Sequence, residues 1–233
     1  IERALKGGKI HPEEALAVLR YQLSTDLETD ELVDEYERLV KEETLRRASR
    51  SWGVGGKPGE YELKEPMDAK VFVPESAMEG EARLLLGFHG MGDSVDNFFS
   101  GVLQGGWREL CKEHRIIFAV VGMSEGAQRY NKTDADNAAK LVAKLKQQYD
   151  VDGSRVYAIG FSNGAKWSNY TVLAHSDIFA ASVAASLAWY DNYIPPKSGY
   201  KVAVLYRGDP EDPNFGPGRA YKAHEMLKEK GHD

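Results

Sequence analysis

Gly160-Phe161-Ser162-Asn163-Gly164 carries the most chemistry per residue in this chain. A Gly-x-Ser-x-Gly set between an apolar run (Val156 to Ile159) and a helix-like stretch (Ala165 to Ala174) is the sequence form of a nucleophile elbow. The turn is so tight that its flanks must be small, and it leaves the Ser162 hydroxyl exposed at the strand's carboxyl end. A helix starting there points free N–H groups at the same spot, where they can hold an oxyanion. The chemistry is nucleophilic attack on an acyl carbon. The competing reading is an ordinary strand-to-helix turn with Ser162 as N-cap. The pentapeptide alone does not separate the two, and its flanking elements favour the first.

Two further segments stand at the right places. Phe88-His89-Gly90-Met91-Gly92-Asp93 follows the apolar run Leu84–Gly87. Its glycines allow the backbone to bend and aim an N–H at the tetrahedral oxygen of acyl transfer; losing one such donor costs on the order of 3 kcal/mol. The expected oxyanion donors are the backbone N–H groups of Asn163 and Met91, with Gly90 as alternate. His89 reads as a brace for the loop rather than a base, with Gly90 and Gly92 supporting. The other segment is Tyr206-Arg-Gly-Asp209-Pro-Glu-Asp212-Pro-Asn. An acid there could orient an imidazole and stabilise its cation. Asp212 is the first choice and Asp209 the second, against the plain reading of a solvated acidic turn.

The elements that must position these groups follow from periodicity. Strands are expected at Gly59–Lys64, Ala69–Val73, Arg83–Phe88, Ile116–Val121, Arg155–Phe161, Ala180–Ala185 and Lys201–Tyr206. Helices are expected near Asp96–His114, Asp134–Tyr149, Ala165–His175 and Gly218–Lys230. Continuous apolar strands alternating with helices predict a doubly wound, mostly parallel α/β sheet. Ligands bind such sheets beyond the strands' carboxyl ends, where every motif above lies. Residues 1–50 read differently: Leu16, Leu19 and Leu23, then Leu32, Val33, Tyr36, Leu39 and Val40, recur at helical spacing and predict a helical hairpin. A breaker-rich linker, 51–58, leads into the α/β domain at 59–233.

Bulk properties bound the partners. The chain has 233 residues, 42% hydrophobic and 28% charged, with a net charge of -6 and no basic block, which argues against nucleic acid. The longest apolar runs are too short to span a bilayer. Cys111, the single cysteine, excludes an internal disulfide and reads as packing. The triplets Asn131-Lys-Thr and Asn169-Tyr-Thr match glycosylation sequons but carry no weight, the second falling inside a helix. Localisation is open; a secreted origin would need a signal peptide ahead of Ile1. Oligomeric state is not legible. Trp189, Tyr190 and Tyr193 read as a packing cluster, with an acyl pocket as the alternative.

Taken together, Phe88–Asp93, Asp152–Ala165 and the Asp212-Pro-Asn-Phe-Gly-Pro-Gly-Arg-Ala-Tyr segment resemble the α/β-hydrolase superfamily. Within it, the closest likeness is to esterases of the polyhydroxybutyrate-depolymerase-like and feruloyl-esterase-like group. The likeness covers about residues 59–233, and the Ser-Asn-Gly elbow is its most specific piece. It implies carboxylic ester hydrolysis through an acyl-serine intermediate, on a small-molecule ester, polyester or plant cell-wall ester, without metal or organic cofactor.

In that group the catalytic histidine follows one more strand. The resemblance therefore implies a fold lacking its last strand here, with the catalytic histidine absent from the chain. His232 lies about 20 Å along its helix from the helix start at 1.5 Å per residue, and His224 and His175 are displaced in the same way. His11 and His114 have no motif around them. The expectation is a truncated hydrolase. A non-catalytic binding or scaffold protein on this fold, and a thioesterase or peptidase, are the alternatives.

Overall fold

The computed structural model describes residues 56–124, 130–186, 194–195, 202–208, 211 and 217–231. The expected hairpin 1–50 and most of the linker lie outside these residues, as do Trp189, Tyr190, Tyr193, Asp209, Asp212, His11 and His232.

The element order is β1 (Gly59–Leu63), β2 (Ala69–Val73), a single 3-10 turn (Glu75–Met78), β3 (Ala82–Phe88), α1 (Val95–Val102), α2 (Arg108–Glu113), β4 (Ile116–Val121), α3 (Lys132–Gln148), β5 (Val151–Phe161), α4 (Asn163–Ala174), β6 (Ala181–Ala185), β7 (Ala203–Arg207) and α5 (Pro217–Glu229). The strands form one seven-stranded sheet in the order β1-β2-β4-β3-β5-β6-β7. The β1–β2 hairpin is antiparallel and joins β4 antiparallel, while β4, β3, β5, β6 and β7 run parallel. This is the doubly wound architecture expected from the alternation of apolar strands and helices.

Alternation along β4 shows how the two faces are filled. Ile117, Ala119 and Val121 join a core with Leu84, Leu86 and Phe88 of β3, Leu141, Val142 and Leu145 of α3 and Trp167 and Val172 of α4. Phe118 and Val120 point the other way, into a smaller core with Phe99, Leu103 and Cys111 under α1 and α2. A strand covered on both faces has no room for polar side chains, so β4 is apolar throughout. A third cluster packs Leu173 of α4 against Ala223, Met226 and Leu227 of α5, with Val204 and Tyr206 of β7 at its edge.

Most boundaries fall within two residues of the expected ones, and two differ by more, each for a local reason. The helix expected over Asp96–His114 divides into α1 and α2 at Leu103–Trp107, where Gly106 has φ 97, a value no helix accommodates. The strand expected from Arg155 starts at Val151, with a register shift opposite Ala82 and Leu84. There the buried Asp152 carboxylate accepts the Ser154 N–H (2.8 Å) and hydroxyl (2.7 Å) and pairs with Arg155 (2.9 Å). Those bonds let a polar Asp-Gly-Ser-Arg stretch enter the sheet.

Cys111 is fully buried, and burial pushes its thiol up to about 11, partly offset by the Arg108 charge. That is the environment of a packing residue. Asn169 is also buried, its carboxamide oxygen accepting the Ser182 hydroxyl (2.5 Å), so this sequon is not presented at the surface. No helix among the described residues is long and apolar enough to cross a membrane.

Candidate active site

The register aligns the carboxyl ends of the central strands: Phe88 of β3 pairs with Val121 of β4 and Gly160 of β5, and Phe161 of β5 with Ala185 of β6. Ser162 is the next residue. Its backbone sits at φ 52, ψ -120, a region that side-chain-bearing residues avoid. The conformation is held from both sides. The Ser162 N–H donates to the Ala185 carbonyl (2.9 Å), and its own carbonyl accepts the Ala165 N–H (3.0 Å) as α4 begins. Ser162 occupies the N-cap position, yet its side chain makes no capping hydrogen bond and the residue is half-buried. The hydroxyl is thus not spent on the role an ordinary capping serine would have.

The flanking glycines are a steric requirement. A Cβ on Gly160 would collide with the Gly164 carbonyl, and one on Gly164 would collide with the carbonyl oxygens of Phe88 and His89. Strand β5, helix α4 and the end of β3 therefore meet backbone to backbone. As the first residue of α4, Asn163 offers an N–H for which the helix has no internal acceptor.

The loop after β3 comes to the same place. A Cβ on Gly90 would lie 3.7 Å from the Ser162 Cβ and 3.4 Å from the Phe161 ring. Gly92 takes φ 79 and the Asp93 N–H closes a turn onto the Gly90 carbonyl (3.3 Å). The Ser94 hydroxyl then caps α1 by accepting the Asn97 N–H (3.1 Å). His89 is buried, its Nδ1 2.9 Å from the Gly90 carbonyl and its ring tilted against Tyr130 at 5.3 Å. Met91 is exposed beside it.

Tyr130 is the residue that the sequence did not single out. Its hydroxyl accepts the His89 N–H (3.2 Å) and donates to the Val121 carbonyl (2.6 Å), tying the loop after β3 to the end of β4. Its ring meets Phe88 edge-on at 5.3 Å. Burial pushes the phenol well above its ordinary value, opposed by the His89 N–H it accepts, so it stays a donor. The residue is set in place by the next turn of chain. Asn131 and Asp134 form a reciprocal capping box on α3, and Asp134 also accepts the Ser124 N–H (2.9 Å) and the Ser124 hydroxyl. The only sequence signal was Asn131-x-x-Asp134 ahead of an apolar run, which marks a helix start.

Among the other described histidines, His175 ends α4 and faces Asp136 (3.1 Å), His114 ends α2 and His224 lies on the exposed side of α5. The structure brings Ser162, Asn163, Gly90 and His89 into one neighbourhood; neither Asp209 nor Asp212 is among the described residues.

Residues 123–225 match the model of the prolyl oligopeptidase family. Among solved structures, an acetyl xylan esterase from Aspergillus awamori superposes with a TM-score of 0.61 at 13% identity, covering 75% of this chain and 81% of that one. A ferulic acid esterase gives 0.57 at 15% identity, covering 76% and 86%. A thermostable esterase gives 0.55 at 16% identity over 74% of this chain, which spans 52% of that protein's length. No curated protein matches the sequence. The fold is that of the α/β hydrolases.

Proposed function

We propose that the protein is a serine hydrolase of carboxylic esters that works through an acyl-serine intermediate on Ser162. The observation that carries this reading is the strained backbone of Ser162, at φ 52 and ψ -120, on a turn that requires glycine on both sides. Strain of this kind costs about 1–3 kcal/mol and persists only where the surrounding structure holds it, as the Ala185 carbonyl and the Ala165 N–H do here. Here it lifts a hydroxyl off the strand tip, free of capping duty.

The Ser162 Oγ attacks the ester carbonyl carbon as its proton passes to the general base, and the carbonyl π pair moves onto oxygen. The Asn163 N–H receives that charge, with the Met91 N–H as second donor and Gly90 as its alternate. Collapse breaks the bond to the alkoxy oxygen, which takes the proton held by the base and leaves as alcohol; the same base then draws a proton from the water that releases the acid from Ser162. A donor fixed in place before the reaction needs no reorganisation, which gives the arrangement its catalytic value. The acid expected to orient the base is Asp212, or Asp209. The base is not one of the described histidines: His89 is enclosed by Tyr130 and the Gly90 carbonyl, and the other three stand on helix ends or faces away from the strand tips.

The substrate class is supported by the esterase structural neighbours, which include enzymes named for ferulic acid and acetyl xylan. A peptide substrate is the second reading, favoured by the prolyl oligopeptidase family match. Hydrolysis of p-nitrophenyl acetate against that of a prolyl p-nitroanilide separates the two. The ester reading expects turnover of the acetate that is lost in Ser162→Ala, and peptide turnover alone would replace it with the second.

A further inference from the structure

A groove of about 550 Å³ lies at the end of the sheet opposite the nucleophile. Pro58, Phe72 and Pro74 give it an apolar side, and Glu75, Glu79 and Lys112 a charged one. Ala69 of β2 pairs with Val121 and Phe72 with Phe118, so β2 ends beside the amino end of β4. Ser162 stands beyond the carboxyl ends. The walls of the groove are fixed by their own contacts. The Ser76 hydroxyl donates to the Lys112 carbonyl (2.5 Å), tying the 3-10 turn to the end of α2. The Arg108 guanidinium lies 4.8 Å over the Phe72 ring and pairs with Glu60 (2.5 Å), and Lys112 pairs with Glu109 (2.8 Å). Both cations are thus engaged. Glu75 and Glu79 are exposed and have no ion-pair partner among the described residues. Two free carboxylates beside an apolar wall suit an occupant with an apolar body and positive charge.

We propose that residues 45–52 of this chain dock in the groove, with Trp52 against its apolar side and the neighbouring arginines facing Glu75 and Glu79. The stretch holds Arg46, Arg47 and Arg50 and no acid, so its charge complements the groove. Tryptophan and arginine are the side chains that most often anchor a contact surface, the first through buried area and the second through an apolar stem under a charged head. The chain is long enough. Trp52 stands six residues before Pro58, itself part of the wall, and such a stretch spans at most about 21 Å. Gly53 and Gly55 lie between them and let the backbone fold back. A group on so short a tether is present at about millimolar effective concentration, so modest contacts suffice to hold it. Docking here joins the preceding residues to the domain without covering the strand tips at Ser162.

Hydrogen exchange of the full chain, read by peptide mass spectrometry, is the test. Amides in residues 45–52 should be protected, and equally so over an about fiftyfold range of protein concentration, as a contact within one chain requires. Glu75→Lys with Glu79→Lys should speed their exchange about threefold or more, and adding Arg47→Glu with Arg50→Glu should restore protection. Trp52→Ala should speed it about tenfold or more. Thermal melting confirms that each variant folds. Exchange of residues 45–52 at the rate of an unstructured peptide would overturn the proposal. So would protection that ignores the charge reversal at Glu75 and Glu79, which would place the segment elsewhere. Protection that rises with concentration would assign the groove to a second copy of the chain and overturn it equally.

Discussion

Gly164 of α4 lies so close to Phe88 of β3 that a Cβ would run into the Phe88 carbonyl oxygen. The contact joins the helix that begins just after Ser162 to the strand that carries the loop facing it. Because it is backbone against backbone, the spacing between Ser162 and Gly90 is fixed by the fold and does not depend on a flexible side chain. Gly160 makes the same kind of contact with the Gly164 carbonyl. Neither glycine is needed for an unusual φ, since neither has one; both are needed for room.

Gly164→Ala should therefore destabilise the protein by about 1–3 kcal/mol or more, because relief requires moving a helix off the sheet. Gly101→Ala makes the comparison, since a Cβ there meets nothing within 4 Å. Urea unfolding midpoints should fall for the first variant and stay at or slightly above wild type for the second, where alanine suits helix α1 better than glycine. Equal midpoints would contradict the packing described.

Ser162→Gly should do the opposite. Glycine adopts φ 52, ψ -120 without the Cβ penalty, though it loses more chain entropy on folding. The net expectation is a gain of about 1 kcal/mol in stability together with loss of hydrolysis. A midpoint unchanged or lowered would show that the turn is not strained.

Tyr130→Phe removes the hydroxyl that bridges the His89 N–H and the Val121 carbonyl. Both partners are then left unpaired in a buried place, at a cost of about 1–3 kcal/mol. If the loop after β3 presents an oxyanion donor, kcat should drop by about tenfold or more with little change in KM, since the donor acts on the charge formed in the transition state. A stability loss with kcat unchanged would limit Tyr130 to packing.

Cys111 has a signature in alkaline solution. Burial raises its thiol pKa from 9.0 to about 11. Between those values the unfolded chain releases a proton that the folded one keeps, so the folded state loses stability as pH rises from 9 towards 11. Comparing urea midpoints at pH 8 and pH 10.5 with those of Cys111→Val isolates this contribution, because the buried tyrosines titrate in both proteins. The variant should show the smaller decline. The native thiol should also resist alkylation until the protein unfolds.

Much of the architecture was legible because burial on both faces of a parallel sheet leaves an unmistakable record. Ile116 to Val121 and Leu84 to Phe88 are strands by composition alone, and the strands and helices alternate as the topology demands. The elbow was legible for a related reason: a turn with no room for side chains admits few residues, and Gly160 and Gly164 are what remains. The break between α1 and α2 was written in Gly105-Gly106 but was outweighed by the apolar periodicity on either side. Tyr130 was hidden because its role depends on three segments meeting, β3, β4 and the approach to α3. Nothing local distinguishes it from the other tyrosines. The same holds for the exposure of Met91 and Phe161, since a sequence shows that a residue is apolar and not which face of the assembled sheet it meets.

The proposed hydrolysis depends most on the hydroxyl of Ser162 being the reactive group. The direct measurement is reaction of the protein with a simple alkyl fluorophosphonate, followed by intact mass and peptide mapping. A single adduct is expected, on the peptide holding Ser162 and absent from Ser162→Ala. An unmodified protein, or an adduct on any other residue, would contradict it.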